Sequence, residues 1–206
     1  MGVKERRERE KLATRQLILD AARDLFVEDG YDAVTMRKIA EKVEYSPTAI
    51  YLHFADKEAL MVELSICDFD AFTKAFGQVP DDLDPVLRLR GLGHALIRFA
   101  LEHPNQYRLL FMTPRPEPTE EVLARKPAET AYELLLGTVR AAMEAGVVHP
   151  ARDPHESAQL LWGSLHGLVA LHLVMPKKGH VPMVPVQRLA DAAMELLVAG
   201  LQAPPS

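Results

Sequence analysis

Apolar residues recur along most of the chain at helical spacing, and stretches that alternate like β-strands are scarce. The clearest example lies near the N-terminus, where six apolar residues fall on one face of a helix with 3.6 residues per turn. They are Leu17, Ile18, Ala21, Ala22, Leu25 and Phe26. Gly30 adopts a positive φ at little cost, so this helix is predicted to end there. The pattern predicts an all-α protein.

Three further helix starts follow within thirty residues. Thr35 is a typical N-cap, and Ser46-Pro47 pairs an N-cap with proline at the first helical position. Phe54 is predicted to close a small core, and Asp56 to cap a longer fourth helix. The second helix has an apolar inward face made of Met36, Ile39, Ala40 and Val43. Two short helices joined by a tight turn, behind a supporting helix, form a helix-turn-helix.

Prolines separate the helices beyond Gly77. We predict a surface loop at 113–118, because its three prolines prevent a continuous helix. Periodicity predicts further helices at about 86–102, from Pro104, and at about 119–145, 154–174 and 185–201. The prediction is nine helices in two domains, a helix-turn-helix domain at 1–57 and a larger helical domain at 58–206.

The net charge of −5 argues at first against binding to nucleic acid. A binding surface is a local patch, however, and the N-terminal segment is locally basic. Up to residue 15 it contains six bases, Lys4, Arg6, Arg7, Arg9, Lys11 and Arg15, and three acids, Glu5, Glu8 and Glu10. The alternative is that this segment is only a solvated, charged helix start.

Cys67 is the only cysteine, which excludes an internal disulfide and fits a reducing compartment. Its apolar neighbours predict a buried structural thiol. The charged N-terminus lacks the apolar core of a signal peptide, and no run approaches the roughly 18 apolar residues that cross a bilayer. We therefore expect a soluble cytoplasmic protein.

Motifs of catalytic and metal sites are absent from the sequence. HExxH, GxSxG and GxxxxGK[ST] do not occur, and the single cysteine has no partner for a thiolate metal site. His166 and His172 are six residues apart and point to different faces of a helix. We predict neither catalysis nor a metal or cofactor.

The stretch from Thr14 to Leu64 resembles the DNA-binding domain of TetR-type transcriptional regulators. The resemblance lies in the ordered segments ILDAARDLF, DGYDAVTMRKIA and IYLHFADKEAL. It implies a homodimer whose recognition helices enter successive major grooves of double-stranded DNA, most often as a repressor. It also implies a C-terminal domain that binds an inducer and alters the spacing of those helices.

In the third helix, Ile50 and either Leu52 or Phe54 can face inward, which leaves its other side chains for solvent or a groove. The resemblance implies DNA contacts at Thr35, Arg37, Lys38, Ser46, Pro47, Thr48, Ala49, Tyr51, His53 and Lys57. Residues 46–49 would read bases, whereas Tyr51, His53 and Lys57 would meet phosphates. Simpler roles stay open, since Thr35 and Ser46 also cap helices, Tyr51 could be packed and Lys57 solvated.

The turn departs from the family pattern at two positions. Glu44 stands where the family often has glycine, and Tyr45 where it often has a small aliphatic residue. A glutamate here could strain a left-handed backbone position and repel phosphate. The operator sequence therefore cannot be inferred from the resemblance.

Two late helices have broader apolar surfaces than one core needs, which favours a dimer interface. We predict this interface at Ala158, Leu161, Leu165, Leu168, Val169, Leu189, Ala193, Leu196 and Leu197. In TetR-like proteins such helices usually form a four-helix bundle. The segments EHPNQYRLLF and LLWGSLHGLVAL further resemble a subgroup with a tryptophan–histidine–glycine signature.

A site for a small apolar effector is predicted where large apolar side chains accompany a few polar tips. The candidates are Phe99, His103, Tyr107, Leu110, Phe111, Met112, Tyr132, Leu135, Trp162 and His166. The same residues could equally form the core of the domain. A dimeric DNA-binding protein without a sensor function is the alternative.

Overall fold

The structure is a computed structural model that describes residues 2–114, 117, 120, 124, 127–175, 182 and 184–202. Within these residues it contains nine helices and no strand, so the predicted all-α fold is confirmed. The helices are α1 Val3–Asp29, α2 Met36–Lys42, α3 Pro47–Tyr51, α4 Lys57–Gly77, α5 Pro85–Glu102, α6 Pro104–Phe111, α7 Pro127–Glu144, α8 Pro154–Val174 and α9 Val186–Gln202. Parts of the loop predicted at 113–118 and of the helix predicted from 119 lie outside the described residues.

The chain divides into two compact units. The first unit comprises Met1–Phe69 and Asn105–Arg125, and the second comprises Asp70–Pro104 and Lys126–Ser206. The first unit thus extends beyond the predicted boundary at residue 57 and includes α6. Leu109 of α6 explains this, because it belongs to the same apolar core as α1.

The core of the first unit forms where the apolar stripes of α1 to α4 meet. Its fully buried side chains include Ile18 and Phe26 of α1, Ile39 of α2 and Ile50 of α3. Leu17 was predicted to share the α1 stripe, but 46% of it is exposed. That prediction was wrong because Leu17 lies at the edge of the buried face of α1, which Ile18 and Leu19 occupy.

Local capping fixes the helix starts as the sequence predicts. Thr35 Oγ1 accepts a hydrogen bond from Lys38 N at 3.2 Å, and Ser46 Oγ accepts one from Ala49 N at 3.2 Å. Asp56 Oδ1 accepts from Ala59 N at 2.7 Å at the start of α4. Each bond satisfies a backbone donor that has no partner within its own helix.

A buried polar cluster joins α1, α4 and α6 inside the first unit. The Arg23 guanidinium donates to both carboxylate oxygens of Asp68, at 2.9 and 2.8 Å, and Gln106 Nε2 donates to Asp68 Oδ1 at 2.9 Å. Burial lowers the pKa of Arg23, but the hydrogen bonds and charges of Asp68 and Asp20 together raise it above its ordinary value. Arg23 therefore stays charged in the interior.

The second unit packs α5, α7, α8 and α9 together with the end of α4. Gly93 of α5 allows a close approach, because a Cβ there would lie 3.1 Å from Leu165 Cδ1 of α8 and 3.5 Å from Met194 Sδ of α9. Asp84 and Asp153 cap α5 and α8. The core of this unit is almost entirely apolar.

One expectation from the sequence was wrong. Cys67 is exposed rather than buried, because its neighbours Ile66 and Asp68 occupy the inward face of α4. Among the described residues one helix, α8, is long and apolar enough to span a membrane by length and composition. One face of α8 packs against α5 and α9.

Candidate DNA interface and effector region

A sharp turn at Val43–Tyr45 sets the angle between α2 and α3. Glu44 has φ 59°, which confirms the left-handed conformation predicted for this position, and Tyr45 N donates to Ala40 O at 3.0 Å. Ile50 then fixes α3 in the core of the unit. Phe54 is buried whereas Leu52 is 78% exposed, so Phe54 is the second inward anchor.

None of the ten predicted DNA-contacting residues is buried. Thr35, Arg37, Ser46, Pro47, Thr48 and Tyr51 are exposed, and Lys38, Ala49, His53 and Lys57 are partly exposed. With 54% of its surface exposed, Tyr51 is not a packed core residue. All ten residues belong to the first unit, and their side chains are at least partly accessible.

Three of the predicted DNA-contacting cations already have partners. Arg37 pairs with Glu41 at 3.0 Å and Lys38 with Asp29 at 2.8 Å, both at the surface. Such exposed pairs contribute at most about 1 kcal/mol, so phosphate can displace them. Lys57 Nζ donates to Tyr31 O at 2.9 Å and lies 4.1 Å from the centre of the Tyr31 ring. Lys57 is therefore more than a solvated surface lysine.

The sequence indicates Arg15 only as one of six N-terminal bases, but its contacts help to hold this surface in place. Its Nη1 donates to His53 O, its Nε donates to Glu63 Oε1 at 2.7 Å, and its guanidinium lies 4.1 Å from the centre of the Phe54 ring. These contacts tie α1 to the segment between α3 and α4. Burial lowers the pKa of His53, as do the positive charges of Arg15 and Lys11.

The ten predicted effector-site residues do not belong to one compact unit. Tyr107, Leu110, Phe111 and Met112 lie in the first unit, whereas Phe99, His103, Tyr132, Leu135, Trp162 and His166 lie in the second. Tyr107 is fully buried, and burial raises the pKa of its phenol. Tyr107 is therefore better described as a residue of the core than as a residue that contacts an effector.

Aromatic rings in the second unit gather around Trp162. Its ring centroid lies 4.6 Å from that of His166, 5.9 Å from Phe72, 6.2 Å from Phe76 and 6.4 Å from Tyr132. Sequence reasoning missed Phe72 and Phe76 because they lie about ninety residues before Trp162, and no local pattern links positions so far apart. Burial lowers the pKa of His166 to about 4, so its imidazole is neutral at neutral pH.

An apolar cavity adjoins this aromatic cluster. Of the predicted effector-site residues, only Leu135 and Trp162 line it. It is lined by Phe76, Leu89, Leu92, Gly93, Leu96, Leu135, Leu161, Trp162, Leu165 and Met194. Its volume is about 20 Å³, enough for roughly one water molecule. Because sites for small organic ligands usually measure about 300–1,000 Å³, an effector would have to part these helices.

The predicted dimer residues divide into buried and accessible groups. Ala158, Leu161, Leu165 and Val169 are buried within one chain and are unavailable to a partner, because they pack against helices of their own unit. Leu196 is 76% exposed, while Leu168, Leu189, Ala193 and Leu197 are partly exposed. The exposed face of α8 consists of Leu160, Gly163, Gly167, Leu171 and Val174.

Comparison with known proteins agrees with this arrangement. Residues 18–64 match the family described as bacterial regulatory proteins, tetR family, and residues 89–201 match the tetracyclin repressor-like C-terminal domain. The chain is 27% identical over 112 residues to the HTH-type transcriptional regulator YobS of Bacillus subtilis, covering 53% of this chain and 57% of YobS. It is 23% identical over 160 residues to UidR of Escherichia coli, covering 76% of this chain and 80% of UidR.

Solved structures show the same fold. The transcriptional regulator FadR from Bacillus subtilis, solved in complex with stearoyl-CoA, superimposes with a TM-score of 0.72 at 18% identity, covering 90% of this chain and 98% of FadR. The match to the C-terminal domain alone extends over more than half of the 206 residues. The chain belongs to the TetR family of bacterial transcriptional regulators.

Proposed function

We propose that this chain is a homodimeric, ligand-responsive transcriptional repressor that binds a palindromic operator and is released by a small apolar or amphipathic effector. The observation that carries the proposal is the exposed polar face of α3. Ser46, Pro47, Thr48 and Tyr51 face solvent, while Ile50 anchors the helix in the core. A helix held in this way fits the major groove, which is roughly 12 Å wide.

In the proposed complex, contacts to bases and to phosphates have separate roles. Residues 46–49 at the first turn of α3 read base edges, and Tyr51, His53 and Lys57 bind phosphates. Two copies related by a twofold axis would present their α3 helices about 34–36 Å apart, one turn of DNA. We expect the protein to act on DNA in the cytoplasm.

Effector binding would act by favouring one of two dimer conformations. A ligand shifts such an equilibrium only as far as its affinities for the two conformations differ. We propose the aromatic cluster around Trp162 as the binding region, with His166 as its buried polar group. Trp162, His166 and Gly167 also carry the proposed assignment to the tryptophan–histidine–glycine subgroup.

The apolar lining of the cavity favours a ligand with an extended hydrocarbon portion. FadR, a structural neighbour, was solved with stearoyl-CoA, which makes a long-chain acyl-CoA a reasonable first probe. Release of labelled operator DNA by the probe would support the assignment.

A second candidate is a dimeric DNA-binding regulator without a sensor function. Among the described residues, the cavity beside Trp162 measures about 20 Å³, and this small size favours the second candidate. The two candidates differ in one measurement, the change in operator affinity across a library of apolar and amphipathic ligands. A dimer whose affinity responds to none of them would support the second candidate.

The proposal is tested by selecting bound sites from random duplex DNA with the purified protein. We expect a palindrome whose half-sites are centred about one helical turn apart. Thr48→Ala should change base preference at defined positions of that palindrome, whereas Gln159→Ala, an exposed change in the second unit, should leave it unaltered. Recovery of no enriched sequence would contradict the proposed function.

A further inference from the structure

The N-terminal turns of α1 form a helical arm that extends beyond the core of the first unit. Residues 2–13 are exposed on every side, so packing does not explain the sequence of this arm. A helix of about twelve residues is marginally stable in water when nothing covers it. The composition of the arm is strongly polar. Of the nine charged residues up to Arg15, six are basic.

Three of these bases lie on one side of the arm. Lys4, Arg7 and Lys11 are spaced by three and four residues, so at about 100° per residue they fall within roughly 60° of one another. Arg15, one turn further along, continues the same line. We call Lys4, Arg7 and Lys11 the basic stripe. In the described part of the chain none of these three side chains forms an ion pair.

The acidic residues and the remaining bases of the arm lie elsewhere. Glu5 and Glu10 project to other sides of the helix, and Glu8 borders the stripe. Arg6 pairs with Glu10 at 3.5 Å, well away from the stripe. Arg9 projects from the opposite side. The positive charge is therefore concentrated on one side of an otherwise mixed helix.

The basic stripe begins next to the proposed DNA-reading helix. Arg15 Nη1 donates to His53 O, directly after α3, and the charge of Lys11 is close enough to contribute to the lowered pKa of His53, after burial and Arg15. From Lys11 the arm rises about 1.5 Å per residue, so Lys4 lies roughly 10 Å further along the helix axis. That distance corresponds to about three base-pair steps of duplex DNA.

We propose that the basic stripe binds backbone phosphates of duplex DNA that flanks the sequence read by α3. The inference rests on the proposed function, because it needs α3 in a major groove. Two observations support it. The stripe is positively charged in a protein whose net charge is −5, so its charge complements that of phosphate. The stripe also adjoins the α3 surface. Such contacts are independent of base sequence and lengthen the DNA segment that each subunit protects.

A pair of matched double variants tests the proposal. R7Q/K11Q removes two charges from the stripe, and R6Q/R9Q removes two charges from the other sides of the same turns. Each variant and the wild-type dimer are titrated at 50–200 mM salt with two labelled duplexes that carry the selected site. One duplex ends at the site, and the other continues for ten base pairs on each side.

We expect R7Q/K11Q to bind the long duplex about tenfold more weakly than the wild type, with a smaller dependence on salt, because each lost phosphate contact lowers the logarithmic salt slope by about 0.9. On the short duplex the two proteins should differ much less. R6Q/R9Q should bind both duplexes like the wild type. Circular dichroism should give the same melting temperature for all three proteins, because the changed side chains are exposed.

Equal affinity of R7Q/K11Q and wild type for the long duplex would overturn the proposal, and so would an equal loss in both double variants. Either result leaves the proposed function standing, provided the wild type binds its site. A wild-type protein that binds neither duplex would instead refute the proposed function, and the arm proposal with it.

Discussion

At the scale of single residues, Glu44 is the clearest case of backbone strain. Its φ of 59° lies in the left-handed region, where a Cβ costs roughly 1–2 kcal/mol. The turn requires this conformation, because Tyr45 N must reach Ala40 O to close α2. The sequence predicted the strain, since glycine often occupies this position in the family.

Replacing Glu44 with glycine should therefore stabilise the protein by about 1 kcal/mol, measured as the free energy of unfolding in urea. Glu41→Gly, an exposed change inside α2, should destabilise it by a similar amount because glycine weakens helices. If Glu44→Gly lowered the unfolding midpoint, the left-handed conformation would not be the source of strain.

His166 makes stability depend on pH. Burial lowers its folded-state pKa to about 4, below the ordinary value of 6.5, so the unfolded chain binds the proton more readily. The stabilising contribution is complete above about pH 6.5 and is lost as the pH falls towards 4. We expect His166→Gln to reduce the drop in unfolding free energy between pH 7 and pH 4.5. A drop as large as that of the wild type would contradict this assignment.

At the scale of secondary-structure elements, the Asp68 cluster holds α1, α4 and α6 together in the first unit. Removing one partner of a buried pair leaves the other charge uncompensated, which typically costs about 3–5 kcal/mol. Gln106 adds a hydrogen bond from α6, which explains how a helix outside the predicted N-terminal domain becomes part of that unit.

Asp68→Asn should lower the free energy of unfolding by about 3 kcal/mol, because Arg23 stays charged in the interior. Asp20→Asn changes a half-exposed partner of the same arginine and should cost under about 1 kcal/mol. Chemical denaturation followed by circular dichroism measures both. Equal, small effects of the two changes would show that the buried pair contributes little.

The elements differ in how far the sequence could predict them. The caps at Thr35, Ser46 and Asp56 follow from bonds between residues three apart, so local patterns identified them. The Arg15–Glu63 and Arg23–Asp68 pairs join residues more than forty positions apart, and no local pattern indicates such partners. Apolar periodicity also could not distinguish the buried face of α8 from its exposed one, so four of the nine predicted interface residues are buried within the chain.

At the scale of the whole molecule, we propose the exposed faces of α8 and α9 as the dimer surface. Leu196 is 76% exposed although it is a large apolar residue, and Gly163 and Gly167 would let a partner helix approach closely. Proteins rarely leave such contiguous apolar surface uncovered.

Leu196→Glu should convert the dimer into a folded monomer, because a charge would be buried in the interface. Gln187→Glu introduces the same charge elsewhere on α9 and should leave the dimer intact. Sedimentation equilibrium measures the change. A Leu196→Glu protein with the dimer mass of the wild type would move the interface away from this face.

The central claim is that the exposed polar face of α3 binds duplex DNA. Its most direct test is the equilibrium affinity of the wild-type dimer for its selected duplex, measured by fluorescence anisotropy between 50 and 300 mM salt. Specific binding should be at least about a thousandfold tighter than binding to random duplex, with affinity falling steeply as salt rises. Equal affinity for both duplexes would contradict the account. An affinity that stays the same as the salt concentration changes would contradict it as well.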